Sequence, residues 1–158
     1  MARTSVAEEF GTPNFGAEKF GATTGRGFVK KDFTMRIGVF CSGGDAPGMN
    51  ACTRAVVRSA ISRGHEVVGI CRGYQGLLEE DFFRPPDGEP LMRLRSVSNI
   101  VKFGGTVLGT SRCAEFRTEA GLKKAAGILQ KHRIDALLPI GGDGTFHGAV
   151  ALAQRWDG

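Results

Sequence analysis

The chain has 158 residues, of which 41% are hydrophobic and 23% charged, and its formal net charge is +5. This is the composition of a soluble globular protein of about one domain, and no apolar run approaches the ~20 residues that a membrane-spanning helix needs. The positive charge suits an anionic ligand, but it is spread along the chain and not gathered in a basic block, so neither a membrane nor a nucleic acid is expected as a partner.

Residues 1–34 differ from the rest of the chain. They are rich in Gly, Thr and Ala, and Phe10, Phe15 and Phe20 are each followed by glycine. A five-residue spacing fits neither a helix face nor strand alternation, so we expect a flexible N-terminal extension, with an aromatic docking tail as the alternative. The regular pattern starts directly after Met35, which predicts that residues 35–158 form the folded part.

The first regular elements form a βαβ unit. A short β-branched and apolar run predicts a buried strand over 36–41, and helical periodicity over 51–63 ends at Gly64, a typical C-terminal cap. A second strand is predicted over 66–71. A strand, a helix and a strand within ~35 residues indicate a parallel sheet.

The middle of the chain is less regular. A Pro-Pro-Asp-Gly turn predicts a hairpin or flap over 77–94, and Ser96 is expected to cap a short helix over 97–103. An amphipathic helix, a third strand and a last helix follow, over 118–132, 134–140 and 145–156. The fold class predicted from this order is α/β, with a mostly parallel sheet and helices on both of its faces in three layers.

Two glycine-rich loops carry the strongest functional signal. "SGGDAPG" (42–48) follows the first predicted strand and "GGDGT" (141–145) follows the third, and ligands of open α/β sheets bind beyond the carboxyl ends of the strands. Glycines and helix starts there predict a phosphate ligand, although neither the P-loop nor the dinucleotide-binding spacing is present. A carboxylate in such a loop repels phosphate unless a cation lies between them, so Asp143 is interpreted as an anchor for Mg²⁺, with a helix-capping aspartate as the alternative.

The cysteines do not form a metal-site pattern. They lack a C-x-x-C pair and ligand-like spacing with histidine, so zinc is not expected; the four are Cys41, Cys52, Cys71 and Cys113. Reduced thiols and the lack of an apolar signal region predict a cytoplasmic protein.

Four segments together resemble the N-terminal half of ATP-dependent 6-phosphofructokinases. They are "RIGVFCSGGDAPGMNACTRAVVRSA" (36–60), "GGTVLGTSR" (104–112), "EFR" (115–117) and "IDALLPIGGDGTFHGA" (134–149). The motif "GGDGT" alone also resembles loops of NAD and diacylglycerol kinases, and "SGGDAPGMN" separates the cases. The resemblance implies a phosphofructokinase-like fold and Mg²⁺-dependent phosphoryl transfer from ATP to fructose 6-phosphate in glycolysis.

The resemblance also implies roles for single residues. Arg112 would be catalytic, meeting the transferring phosphate, where a guanidinium stabilises charge on the equatorial oxygens. Tyr74 would lie beside the nucleotide base, and Cys113 stands where the family often has an aromatic residue. The phosphates and the metal would be held by the glycine loops, and adenine would lie close to the last helix, through Gly43, Gly44, Gly142, Asp143, Gly144, Thr145 and Gly148.

Two further positions bear on donor and regulation. Diphosphate-dependent relatives usually carry aspartate where this chain has Gly144, so glycine favours ATP. Arg54 and Arg58 lie one helical turn apart and resemble part of an allosteric phosphate site, the alternative being two solvated arginines.

The family's P-G-T-I-D-N-D motif, which supplies the catalytic base, is not in this sequence. We therefore expect a truncated domain that carries the nucleotide and metal half of the site, has little turnover alone, and belongs to a homo-oligomer when complete. The alternatives are a diphosphate-dependent relative, or a non-catalytic nucleotide-binding remnant or regulatory partner.

Overall fold

The computed structural model describes residues 33–86 and 88–158, so the predicted extension over 1–34 lies almost wholly outside the described residues. Within them the chain forms three strands, four α-helices and three short 3₁₀ turns. The strands and α-helices are β1 (Arg36–Cys41), α1 (Met49–Ser62), β2 (Glu66–Ile70), α2 (Gly73–Leu78), α3 (Glu119–Lys131), β3 (Ala136–Ile140) and α4 (Asp143–Ala153). In this part of the chain, no helix is both long and apolar enough to cross a membrane.

The three strands form one parallel sheet in the order β2-β1-β3. The central strand β1 places Val39 opposite Gly69 on one side and opposite Leu138 on the other. Strands enclosed by crossover helices are continuously apolar, which is why "VFC" at the end of β1 is fully buried.

Each face of the sheet has its own hydrophobic core. Alternate residues of a strand point to opposite faces, so Val39 packs with Val57 of α1 on one face, while Phe40 packs on the other with the side that carries α2, α3 and α4. A fully buried Val, Leu or Phe contributes about 1.5–3 kcal/mol. Helices on both faces of a parallel sheet confirm the predicted three-layer α/β class.

The hairpin predicted over 77–94 is wrong, although the turn at Pro-Pro-Asp-Gly is present, with the Gly88 amide donating to the Pro85 carbonyl (3.0 Å). The chain instead forms α2, turns at Glu80 (φ +56°), and makes an isolated antiparallel bridge from Phe82 to Ile70. The residues that follow bond to the outer edge of β2, with Phe83 N–H donating to the Gly69 carbonyl (2.8 Å) and Met92 N–H to that of Val67 (2.7 Å). Strand-edge groups need partners, and here a non-repetitive segment supplies them where a hairpin was predicted.

Smaller differences concern helix ends. Residues 97–103 are not one helix but parts of two 3₁₀ turns, Leu94–Val97 and Ile100–Lys102. Ser96 does not begin a helix; its hydroxyl accepts a bond from the Arg93 amide (3.0 Å). The helices α1 and α4 each start two residues earlier than predicted, while α3 lies within its predicted range, with Thr118 as its N-cap.

Candidate functional site

The two glycine loops lie at the topological switch point of the sheet. The connection that leaves β1 leads to β2 on one side, while β3 pairs with β1 on the other side. Loops 42–48 and 141–145 therefore follow the carboxyl ends of two neighbouring strands from which the chain departs in different directions. This is the position at which open α/β sheets bind their ligands.

Thr145 joins the two loops from beneath. Its hydroxyl donates to the Ser42 carbonyl (3.2 Å), and the Ser42 amide donates to the Ile140 carbonyl (2.9 Å). Thr145 is 3% exposed, so its side chain fastens the loops together and does not face an open cleft. Gly141 is required by the same contact, since a Cβ there would overlap the Ser42 carbonyl oxygen and lie 2.9 Å from Cβ of Thr145.

Most of the other loop glycines face open space. A Cβ at Gly44, Gly142 or Gly144 would meet no atom of the described chain within 4 Å. Gly43 and Gly48 both have φ +94°, a backbone conformation that favours glycine. The loops thus have a packed side, the floor, formed by Gly141 and Thr145. Their exposed side, the rim, is formed by Gly44, Gly142 and Gly144, and there a ligand can approach the backbone.

Asp143 is the first residue of α4 and is exposed at this rim. The N-cap position belongs to Gly142, and within the described residues no hydrogen bond or ion pair reaches the Asp143 carboxylate. The alternative interpretation of Asp143 as a helix-capping side chain is therefore not supported. Within the described residues the amides of Asp143 and Gly144 have no hydrogen-bond partner and lie at this carboxylate, whereas the Thr145 amide donates to the Gly142 carbonyl (2.9 Å).

A Mg²⁺ ion fits this donor set only together with a phosphate. Among the described residues no group of three or more His, Cys, Asp or Glu side chains could hold a metal. Magnesium in phosphoryl-transfer sites is typically held by one or two carboxylates, waters and the phosphate oxygens of the substrate. Asp143 supplies one such carboxylate beside backbone amides that suit a phosphate.

The N-terminus of α1 is built differently from that of α4. Amides in the first turn of a helix that follows a glycine loop were expected to be free for a ligand. The amide of Asn50 instead donates to the Gly105 carbonyl (3.2 Å), which belongs to the segment before Arg112. The Asn50 side chain, in a residue only 2% exposed, bonds to the same segment. Sequence reasoning missed Asn50; the signal available was an asparagine in the first turn of a helix that follows a glycine loop.

Tyr74 lies in the core and not on the rim. It is 6% exposed, its ring stacks on Phe116 (centroids 3.8 Å apart), and its hydroxyl donates to the Thr145 carbonyl (2.6 Å). Burial raises the pKa of Tyr74 above its ordinary value, so the hydroxyl stays protonated and donates. Gly148 packs against this ring, and a Cβ there would lie 2.9 Å from it. The expected contact of Tyr74 with a nucleotide base stays a prediction that this burial does not favour.

Arg112 is exposed in the irregular segment between the second and third 3₁₀ turns. The chain is fixed before it, because the Arg72 amide donates to the Leu108 carbonyl (2.7 Å) and Leu108 is 2% exposed. It is fixed after it by buried Phe116. The neighbouring Cys113 is half-buried and packs against the core that contains Tyr74.

Arg54 and Arg58 lie on α1, away from its N-terminal end. Arg54 is half-buried, and its Nη1 atom is buried without a hydrogen-bond partner among the described residues. Arg58 is exposed. A buried guanidinium nitrogen without a partner is energetically costly, and among the described residues this holds for Arg54 and not for Arg58.

Fold and site together define an α/β protein that presents two glycine loops and a free carboxylate at the carboxyl edge of a parallel sheet. The family model "Phosphofructokinase" matches residues 36–158. The chain belongs to the phosphofructokinase family.

The individual relatives agree with this assignment. The chain is 57% identical over 118 residues to a curated "ATP-dependent 6-phosphofructokinase" of Clostridioides difficile (strain 630), and 53% identical over 118 residues to one of Clostridium botulinum (strain Hall); each match covers 75% of this chain and 35% of the relative. The chain thus spans about a third of the length of these curated relatives.

Solved structures show the same fold. Phosphofructokinase from Saccharomyces cerevisiae superposes with a TM-score of 0.70 at 41% identity, covering 78% of this chain and 16% of that one. A pyrophosphate-dependent phosphofructokinase from Marinobacter aquaeolei superposes with a TM-score of 0.64 at 18% identity, over 76% of this chain and 29% of that one. A protein named for pyrophosphate therefore shares this fold.

Proposed function

We propose that this chain forms the nucleotide and metal side of an ATP-dependent 6-phosphofructokinase, a cytoplasmic glycolytic enzyme that transfers a phosphoryl group from ATP to fructose 6-phosphate. The observation that carries the proposal is the rim at the switch point, where the free Asp143 carboxylate stands beside the first amides of α4 and the bare Gly44, Gly142 and Gly144. The identity of 57% to an enzyme named for this activity supports the substrate pair.

Each residue has a task in this proposal. Backbone amides at the rim bind phosphate oxygens, Asp143 binds Mg²⁺, and Arg112 stabilises charge on the transferring phosphoryl group. When bound, Mg²⁺ neutralises charge on the phosphate chain. The P-G-T-I-D-N-D segment that supplies the base in this family is not part of the sequence, so turnover by this chain alone is expected to be slight. A homo-oligomer is part of the proposal for the complete enzyme.

The choice of ATP over diphosphate rests on Gly144. A side chain at this position would meet nothing in the described protein, so an aspartate would fit the fold and project into the space the ligand needs. A carboxylate there would repel a phosphate of the nucleotide. Glycine at this position supports ATP as the donor.

Calorimetric titration of the chain with Mg·ATP, and separately with Mg·diphosphate, tests the proposal. We expect Mg·ATP to bind and Mg·diphosphate to bind at least tenfold more weakly. Asp143→Asn should weaken Mg·ATP binding by about tenfold or more, since one charged ligand contributes at least ~1.4 kcal/mol.

Asp157→Asn is the matched control, because this exposed carboxylate follows the opposite end of α4. It changes the net charge equally and should leave binding unaltered. Binding of Mg·diphosphate in preference to Mg·ATP would mean that diphosphate, and not ATP, is the phosphoryl donor. Failure of a folded chain to bind either ligand would refute the nucleotide site.

We also propose that Arg54 and Arg58 bind a phosphate-bearing effector. The buried Nη1 atom of Arg54 supports this proposal, since an anion would supply its missing partner. Stabilisation of the wild-type chain by inorganic phosphate, measured as a rise in melting temperature, should be lost in Arg54→Met. An equal rise in both proteins would show that phosphate binds elsewhere and would refute this role for the two arginines.

A further inference from the structure

Asn50 holds one stretch of backbone by three hydrogen bonds. Its Nδ2 donates to the Phe103 carbonyl (3.1 Å), its Oδ1 accepts from the Val107 amide (2.8 Å), and its own amide donates to the Gly105 carbonyl (3.2 Å). The amide side chain thus spans both ends of the segment 103–107. Asn50 is 2% exposed, whereas its partners Phe103 and Val107 are exposed residues, so these bonds are shielded from water on the Asn50 side.

The held segment leads directly to Arg112. Beyond Val107 the chain is fixed at buried Leu108, whose carbonyl accepts from the Arg72 amide, and then continues to the exposed arginine. Asn50 itself belongs to the first turn of α1, immediately after the glycine loop 42–48. A single side chain therefore ties the arginine-bearing segment to the first glycine loop.

A second contact joins the loop and the segment. Gly105 is buried with φ +75°, and a Cβ there would lie 2.7 Å from Oδ1 of Asp45 in the glycine loop. The loop and the segment are therefore in direct contact at the position that Asn50 holds.

We propose that Asn50 is a positioning residue that holds Arg112 in register with the phosphate-binding loops. The inference rests on the proposed nucleotide site, since Arg112 acts on the terminal phosphate of ATP. A guanidinium on an exposed irregular segment contributes to binding only where its backbone is fixed, because otherwise ordering the segment offsets the gain. The three bonds from Asn50 provide this order before the ligand arrives.

Hydrogen exchange of the chain without ligand tests the first half of the proposal. In Asn50→Ala we expect the Val107 amide to exchange at least tenfold faster, with faster exchange across 103–112, while amides of β1 remain protected. Thr53→Val is the matched control. Thr53 is a fully buried polar residue of the same helix that contacts Cys41 Sγ (3.6 Å), so its loss should not alter exchange over 103–112. Unchanged exchange of Val107 in Asn50→Ala would overturn the proposal.

Nucleotide titrations test the link to Arg112. The ratio of ATP to ADP affinity isolates the terminal phosphate, and we expect Arg112→Ala to lower this ratio by about tenfold. Asn50→Ala should lower the same ratio, and it should lower it no further when Arg112→Ala is already present. Additive effects of the two substitutions, or equal weakening of ATP and ADP in Asn50→Ala, would show a merely structural role and refute the proposal.

Two further outcomes are also decisive. If Asn50→Ala does not fold, Asn50→Asp serves, since it keeps the acceptor for the Val107 amide and loses the donor to the Phe103 carbonyl. It should leave Val107 protected and still lower the ATP to ADP ratio; an unchanged ratio would contradict the proposal. If the wild-type chain binds neither nucleotide, the nucleotide site and the role of Arg112 fall together, while the exchange data still determine whether Asn50 orders the segment.

Discussion

Replacing Gly141 by alanine should loosen the junction between the two glycine loops. The added methyl would lie 2.9 Å from Cβ of Thr145 and would overlap the Ser42 carbonyl oxygen, which belongs to the backbone and cannot rotate away. Carbon atoms normally approach to ~3.5–4.0 Å, so the neighbours must move by close to 1 Å. The hydrogen bond from Thr145 to Ser42 lies at the centre of this displacement.

The magnitude follows from three opposing effects. Overpacking of this kind costs about 1–3 kcal/mol, and weakening a buried hydrogen bond costs about 1 kcal/mol more. The reduced freedom of the unfolded chain returns about 0.4–1 kcal/mol. We therefore expect the free energy of unfolding to fall by about 1–3.5 kcal/mol, which for a domain of this size lowers the melting temperature by roughly 4–14 °C.

Urea denaturation followed by far-ultraviolet circular dichroism measures this loss, with Gly142→Ala as the matched control. A Cβ at Gly142 meets no described atom within 4 Å, and its φ of −102° is open to alanine, so stability should change by no more than about 0.5 kcal/mol. Equal stabilities of the two variants would refute the view that Gly141 lacks a side chain because the loops pack closely there, and Gly142 because a ligand approaches there.

Three other substitutions test separate parts of the structure. Tyr74→Phe removes the bond to the Thr145 carbonyl and should lower the free energy of unfolding by about 0.5–1.5 kcal/mol in the same urea assay, whereas an unchanged midpoint would mean that this bond contributes nothing. Glu119→Gln removes the ion pair to Arg155, which holds the pKa of Glu119 below its ordinary value of 4.5. The variant should melt below wild type at pH 7, and the difference in melting temperature should vanish as the pH falls through that lowered pKa. A difference that does not depend on pH would contradict this role of the ion pair. Gly144→Asp should leave the melting temperature within a few degrees of wild type, because the side chain meets no described atom, yet lower Mg·ATP affinity at least tenfold by calorimetry; undiminished affinity would remove the argument for ATP as donor.

The sheet was predictable because its signals are local. Short apolar runs bounded by glycine placed all three strands within two residues of their observed ends, and glycine after α1 marked its end. The parallel arrangement followed from the alternation of strands with helices. These features depend on the residues next to each other in the chain.

What sequence reasoning missed depends on distant contacts. The helix α2 begins after Arg72, which has φ +54°, a conformation that sequence rules reserve mainly for glycine. The segment after α2 takes its shape from the edge of β2, to which it bonds through Phe83 and Met92. No local pattern in "FFRPPDGEPLM" encodes those partners.

The candidate site likewise has features that the sequence predicted and features that depend on distant contacts. The loops and the exposed Asp143 were found from their position after strands, but residue type could not tell rim from floor. Thr145 and Tyr74 carry hydroxyl groups typical of ligand contacts, and packing buries both. Asn50 was overlooked because its three partners lie more than fifty residues away in sequence.

The two outer strands of the sheet differ in whether another strand can pair with their free edge. On the β2 side, backbone bonds from Phe83 and Met92 already occupy the edge. On the β3 side, Leu138 is 36% exposed and, within the described residues, β1 is the strand's one pairing partner. A further parallel strand, whatever polypeptide supplies it, can therefore join this sheet only beside β3, next to the loop that carries Asp143. Any strand added to this sheet would therefore also place residues next to the candidate site.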